Sequence, residues 1–191
     1  MATTLPKLIG VISAKSRSGK STLADVLIRD YGYQREQFSA PLQVTFRALC
    51  EMHGITDRAT LDRLVGTWKD TPIPQLGGAC YRSWALAAGH NLRTTAGWDV
   101  WVQLLSKRLS NKVPPIVIDD VRYRNEVDFI VNNGGAIWLV HRDGNPRPVD
   151  TTWERELRDL DRVDCHFTNC PEMTKEGWQE NVRRVIETVY S

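Results

Sequence analysis

The chain has 191 residues, of which 41% are hydrophobic and 25% charged, and this usage excludes a collagen-like or wholly disordered polymer. Its 25 basic residues against 23 acidic ones leave a net charge of +2, which gives no basis for non-specific binding to nucleic acid or to a membrane surface. Of the basic residues 18 are Arg, and the planar donor fork of Arg matches phosphate and carboxylate oxygens.

The opening residues, MATTLPKLIGVISAKS, lack the pattern of a secretory signal, and no apolar run is long enough to cross a bilayer. A cytoplasmic location is expected. Leu8 to Ser13 is a short run rich in Ile and Val, which reads as a buried strand. A helix follows from Gly19 to Arg29, with Leu23, Val26 and Leu27 on one face. Phe38 ends a second short strand, and Pro41 opens a helix through Leu49. Residues 54 to 90 mix Thr, Asp, Pro and Gly with short apolar pieces and show no clear element. Helical spacing returns from about Asp99 to Leu109, carried by Trp101, Leu104, Leu105 and Leu109.

Pro114 and Pro115 precede the plainest strand, Ile116-Val117-Ile118, which runs into Asp119-Asp120. A helix over Arg124 to Asn132 stops at Gly134-Gly135. Ala136 to His141 is another buried strand, and residues 142 to 150 form a loop. Asp150 or Thr152 caps a short helix through Leu160. Asp164 to Thr168 is a final strand. An amphipathic helix spans Lys175 to Tyr190, with Trp178, Val182, Val185, Ile186 and Val189 inward. Cys50, Cys80, Cys165 and Cys170 form no C-x-x-C pair. They read as small apolar residues in a reducing compartment, and Cys165-His166 with Cys170 lacks the second ligand pair that zinc requires. Strands apolar on both faces and alternating with helices predict a parallel sheet covered on both sides. Ligands bind such sheets beyond the carboxyl ends of the strands.

The turn after the first strand reads Ala14-Lys15-Ser16-Arg17-Ser18-Gly19-Lys20-Ser21, followed by Thr22. It fits the phosphate-loop pattern G-x-x-x-x-G-K-[ST], with Ala14 in place of the first Gly. Backbone N–H groups at a helix N-terminus form a nest for an anion. In this pattern Lys20 reaches the β- and γ-phosphates and the Ser21 hydroxyl ligates Mg²⁺. The end of the Ile116-Val117-Ile118 strand supplies a carboxylate for that metal. Neighbouring residues face opposite ways, so one acid serves. Asp120 is the expected ligand, Asp119 a support, and Arg122 a bidentate phosphate contact.

Four segments of the chain resemble the deoxynucleoside monophosphate kinases of tailed bacteriophages: GVISAKSRSGKSTLADVL at 10–27, FSAPL at 38–42, LRTTAG at 92–97 with Trp101 downstream, and IVIDDVRYRNEVD at 116–128. The segment VDCHFTN at 163–169 is also similar. The resemblance implies a three-layer α/β/α P-loop NTPase fold, nucleoside monophosphate kinase-like, with a parallel five-stranded sheet. It also implies ATP and Mg²⁺ as cofactors and transfer of a phosphoryl group to a deoxynucleoside 5′-monophosphate. A single domain over 1–191 is expected, with a monophosphate-binding insertion within about 40–100 and an Arg-rich lid within about 142–162. On the acceptor side the candidates are Ser39, Pro41, Arg47, Arg93, Trp98, Trp101 and Glu126, with Arg82 and Trp84 behind them. The lid holds Arg142, Arg147, Arg155, Arg158 and Arg162, and Arg142 is the candidate for stabilising the transferring group. Gln43 stands where the family often has a basic residue. A phosphomevalonate-like acceptor, a modified pyrimidine nucleotide and an acceptor-free NTPase are alternatives. A nucleic-acid partner is not expected, and a homodimer is left open.

Overall fold

The computed structural model describes residues 4–13, 17–144 and 160–190. Five short strands form one sheet: β1 (Leu8–Ile12), β2 (Gln34–Glu36), β3 (Ile116–Ile118), β4 (Ala136–Arg142) and β5 (Cys165–Asn169). Every pairing is parallel, and the order across the sheet is β2-β3-β1-β4-β5. The register puts Ile9 beside Val117 and Ala136, so the central strand lies between two apolar neighbours. The second strand ends at Glu36, two residues before the expected Phe38.

Helix α1 (Lys20–Tyr31) joins β1 to β2. Its Leu23, Ala24, Val26 and Leu27 share one buried cluster with Ile9 and Val11 of β1 and with Trp178, Val182 and Ile186. These last three belong to the C-terminal helix, Lys175–Tyr190. Successive residues of a strand face opposite sides, so Gly10 looks the other way. There, a Cβ on Gly10 would run into Ile130 Cδ1. Glycine at this position lets the helix over Arg124–Asn132 lie close against β1. The sheet is thus covered by helices on both faces, as the apolar strands predict. Val189, expected inward, is 44% exposed in the last turn of its helix.

The chain divides into two compact units, Met1–Gln37 with Leu105–Ser191, and Phe38–Leu104. The sheet belongs to the first. The second holds α2 (Ala40–Met52), α3 (Arg58–Val65) and α4 (Tyr81–Ala96), with a 3-10 turn at Pro74–Leu76. Phe46, Cys50, Leu61, Leu64, Val65, Ile73 and Tyr81 form its core, and the Phe46 ring lies 5.2 Å from Tyr81 and 5.1 Å from Trp84. Helix α5 (Val100–Leu109) is cut by the division. The helices over Arg124–Asn132 and Lys175–Tyr190 are numbered α6 and α7. The helix expected before Leu160 lies outside the described residues.

The 16 residues of α4 fall largely where the sequence shows no clear element. Only Tyr81 and Arg93 of this helix are buried. Apolar periodicity is weak on such a helix, and Gly89 lowers its propensity further.

Candidate active site

The chain runs from β1 out to the edge at β2, and from β4 to the opposite edge at β5. The carboxyl ends of β1 and β4 are therefore the switch point at which α/β sheets bind ligands. The loop between β1 and α1 starts there. Ala14, Lys15 and Ser16 lie outside the described residues, while Arg17 to Thr22 are described. Arg17 is left-handed, with φ 61°, and so is Gly19, with φ 107°.

Three carbonyls in a row are taken by side chains from three other elements. Arg142 Nη1, at the end of β4, donates to Arg17 O at 2.8 Å. Asn169 Nδ2, at the end of β5, donates to Ser18 O at 2.9 Å. Trp178 Nε1, in α7, donates to Gly19 O at 3.3 Å. A trans peptide points its C=O and the next N–H in opposite directions. The N–H groups of Ser18, Gly19 and Lys20 therefore face away from these three donors. The first turn of α1 adds N–H groups without intrahelical acceptors. These amide donors lie at the positive end of a helix dipole.

Gly19 is required here twice over. Its φ suits glycine, and a Cβ would meet Trp178 Nε1 at 2.6 Å and Asn169 Nδ2 at 2.9 Å. Beside it, Ser18 is 1% exposed, and its Oγ has no hydrogen-bond partner among the described residues. An orphaned hydroxyl in a loop of this kind fits an anionic ligand.

The acids after β3 lie close to this loop. Asp119 is 4% exposed. Gln37 Nε2 donates to its Oδ1 at 2.8 Å, and Arg35 Nε lies 3.4 Å from its Oδ2. Burial raises the Asp119 pKa, Arg35 opposes this, Asp120 adds to it, and Gln37 and Lys20 oppose it. Lys20 and both acids thus share one electrostatic neighbourhood. Arg35 also donates to Ser21 O at 3.0 Å and to Asp25 at 2.8 Å, tying the first turn of α1 to Asp119. Asp120 is half-buried, and the Ser21 residue is exposed. Neither Arg35 nor Gln37 is flagged by the sequence, because each lies more than 80 residues from Asp119 and belongs to no motif.

Other candidates are placed differently. Arg122 is exposed. Glu126, expected on the acceptor side, is 2% exposed and accepts the N–H groups of Arg122 at 2.7 Å and Tyr123 at 3.2 Å. Its carboxylate caps α6. Arg142 sits on a strand end and reaches the loop backbone. Arg162 pairs with Asp164 at 3.2 Å, and the lid residues Arg147, Arg155 and Arg158 lie outside the described residues.

In the second unit, Ser39 is the residue before α2 and Pro41 stands in its first turn. Arg47 pairs with Asp62 at 3.0 Å, and Arg82 pairs with Asp70. Arg93 is 5% exposed, donates to Trp98 O at 2.9 Å, and lies 5.4 Å from the centre of the Trp98 ring. Trp98 is 46% exposed, whereas Trp101 is 4% exposed and donates to Gly89 O at 3.3 Å. Trp101 is a core residue with no open face for a base, and Trp84 packs on Phe46.

Cys165 is buried and His166 exposed, because neighbours on β5 face opposite ways. Among the described residues no three His, Cys, Asp or Glu side chains gather as a metal cage. No helix among them is long and apolar enough to cross a membrane.

The fold defines a parallel α/β protein whose first strand leads, at its carboxyl end, through this loop into a helix N-terminus. No protein-family model matches the chain. It is similar to a protein of Acanthamoeba polyphaga mimivirus described as "Putative deoxynucleotide monophosphate kinase", at 28% identity over 179 residues, covering 85% of this chain and 88% of the relative. Among solved structures it aligns with an unliganded sugar kinase from Janibacter sp. HTCC2649, at 14% identity and TM-score 0.41, covering 97% of this chain and 99% of the other. It also aligns with a gluconokinase from Sinorhizobium meliloti 1021, at 18% identity and TM-score 0.42, covering 97% of each.

Proposed function

We propose that the chain is an ATP-dependent phosphotransferase that converts deoxynucleoside 5′-monophosphates to diphosphates. The observation that carries this reading is the run of three loop carbonyls held by Arg142, Asn169 and Trp178, which leaves the three following amides facing away from those side chains and available to an anion. The name of the mimivirus relative supports the acceptor class. In an infected bacterial cell, the products are precursors for phage DNA, made in the cytoplasm.

The loop residues from Ala14 to Thr22 bind the phosphates of ATP, and the N–H groups of Ser18, Gly19 and Lys20 take the oxygens. The ammonium of Lys20 sits against the β- and γ-phosphates and holds charge as it develops there. Ser21 and Asp120 hold Mg²⁺. Such a site needs only one or two protein ligands, because phosphate oxygens and water complete the shell. When bound, the metal neutralises charge across the phosphate oxygens. Asp119 supports Asp120 and is itself held by Gln37 and Arg35. Arg122 contacts the transferring group. Arg142 acts through the Arg17 carbonyl rather than on the phosphoryl group.

Trp98 offers an open ring for a base, and Arg93 fixes that ring from beneath. Arg47 binds the acceptor phosphate. Its pair with Asp62 is partly exposed, and such pairs are weak enough for a phosphate dianion to compete. Ser39 and Pro41 shape the start of α2 next in the chain.

Incubation with ATP–Mg²⁺ and a panel of deoxynucleoside monophosphates tests the reading. ADP and a deoxynucleoside diphosphate are expected in equal amounts, with turnover dependent on the acceptor. ADP release indifferent to any acceptor overturns it in favour of an NTPase. Turnover only with a phosphorylated non-nucleotide overturns the acceptor class. Lys20→Ala is expected to lower turnover by on the order of 100-fold or more, with an unchanged circular dichroism spectrum.

A further inference from the structure

Resting on the phosphate-loop reading, we infer that Asn169 and Trp178 are positioning residues for nucleotide binding: they aim the loop amides without touching the nucleotide. Asn169 is the last residue of β5, and Trp178 stands one turn into α7. They lie 151 and 159 residues in sequence from Ser18 and Gly19, whose carbonyls they hold.

The physical reason is the strain in the loop. Arg17 is left-handed without being glycine, a costly conformation that persists only when its surroundings hold it. A peptide plane in a short loop can flip, which would turn a carbonyl oxygen toward the phosphates in place of an N–H. A hydrogen bond to the carbonyl prevents this. Asn169 fixes the plane that carries the Gly19 N–H, and Trp178 fixes the plane that carries the Lys20 N–H. Leu23 N also donates to Gly19 O at 3.0 Å, so the Asn169 plane depends more on its single side-chain donor. Asn169 is 6% exposed and Trp178 3%. The two side chains also occupy the space beside Gly19 that any Cβ would enter.

The chemistry recognised by this arrangement is a linear polyphosphate, so inorganic tripolyphosphate serves as a probe of the loop alone. Trp178→Phe removes one N–H and keeps most of the ring. Asn169→Asp keeps the shape and replaces the donor by an acceptor with charge. By calorimetry at neutral pH, Trp178→Phe is expected to weaken tripolyphosphate and ATP–Mg²⁺ binding about fivefold, and Asn169→Asp about tenfold or more. In the assay, KM for ATP is expected to rise in parallel, with KM for the acceptor unchanged. A merely structural role lowers the fraction of folded protein, hence the binding stoichiometry and kcat, and leaves the affinity alone.

If the wild-type chain binds tripolyphosphate and both variants bind it equally well, the inference is wrong while the phosphate-loop reading stands. A fall in stoichiometry at constant affinity has the same meaning. If the wild-type chain binds neither ATP nor tripolyphosphate, the phosphate-loop reading fails and the inference falls with it.

Discussion

Asp119 and Asp120 are neighbours in the chain but not in environment. The first is buried between Arg35 and Gln37, and the second is half-buried at the edge of the same corner. A carboxylate with both oxygens engaged is a poor metal ligand, because coordination would have to break those contacts. Asp120→Asn is therefore expected to lower Mg²⁺-dependent turnover by on the order of 100-fold, and Asp119→Asn by much less, when kcat is measured at saturating Mg²⁺. Equal losses would assign the metal to the wrong acid. Gly19, Lys20 and Ser21, on which the proposed phosphate loop rests, are marked in the sequence by fixed residue types at fixed spacing. Arg35, Gln37, Asn169 and Trp178 are not, because they reach the site through the fold and no local pattern marks them. Glu126 illustrates the converse. It sits in a recognisable segment, but the structure shows its carboxylate capping a helix.

Elements with strong apolar periodicity match their expected spans closely. Helices α6 and α7 run over Arg124–Asn132 and Lys175–Tyr190, as their spacing predicts. Helix α3 was hidden among polar residues, and its start is set by a cap: Thr60 N donates to Asp57 Oδ2 at 2.8 Å. Bonding to Thr60 lowers the Asp57 pKa below the usual carboxylate range. A lowered carboxylate pKa contributes stability above its unfolded value, and that contribution is lost as pH falls through the lowered value. Asp57→Ala is therefore expected to melt at a lower temperature than wild type at pH 7. The difference should shrink on acidification through the carboxylate range, as followed by circular dichroism. A gap that stays constant down to pH 2 would mean that the carboxylate is not the cap.

The molecule as a whole consists of two compact units, each with its own core. In the second, Phe46 is 0% exposed and packs against Tyr81 and Trp84. Phe46→Ala is expected to cost that unit about 3–5 kcal/mol. By hydrogen exchange, protection should fall in α2, α3 and α4 while β1, β3 and β4 keep theirs. Loss of protection throughout the sheet would show that the two cores unfold together.

Taken alone, the sequence determined the alternation of buried strands and helices, and with it the parallel sheet, because both depend on local hydrophobic period. It also located the loop and the acids after β3, because a strand end followed by a helix start is a local feature. Only the tertiary structure decided which way the loop amides face. That direction depends on Arg142, Asn169 and Trp178, which come from distant parts of the chain. The burial of Asp119 and of Trp101 was likewise settled by packing, since exposure is a property of the neighbours that the fold supplies.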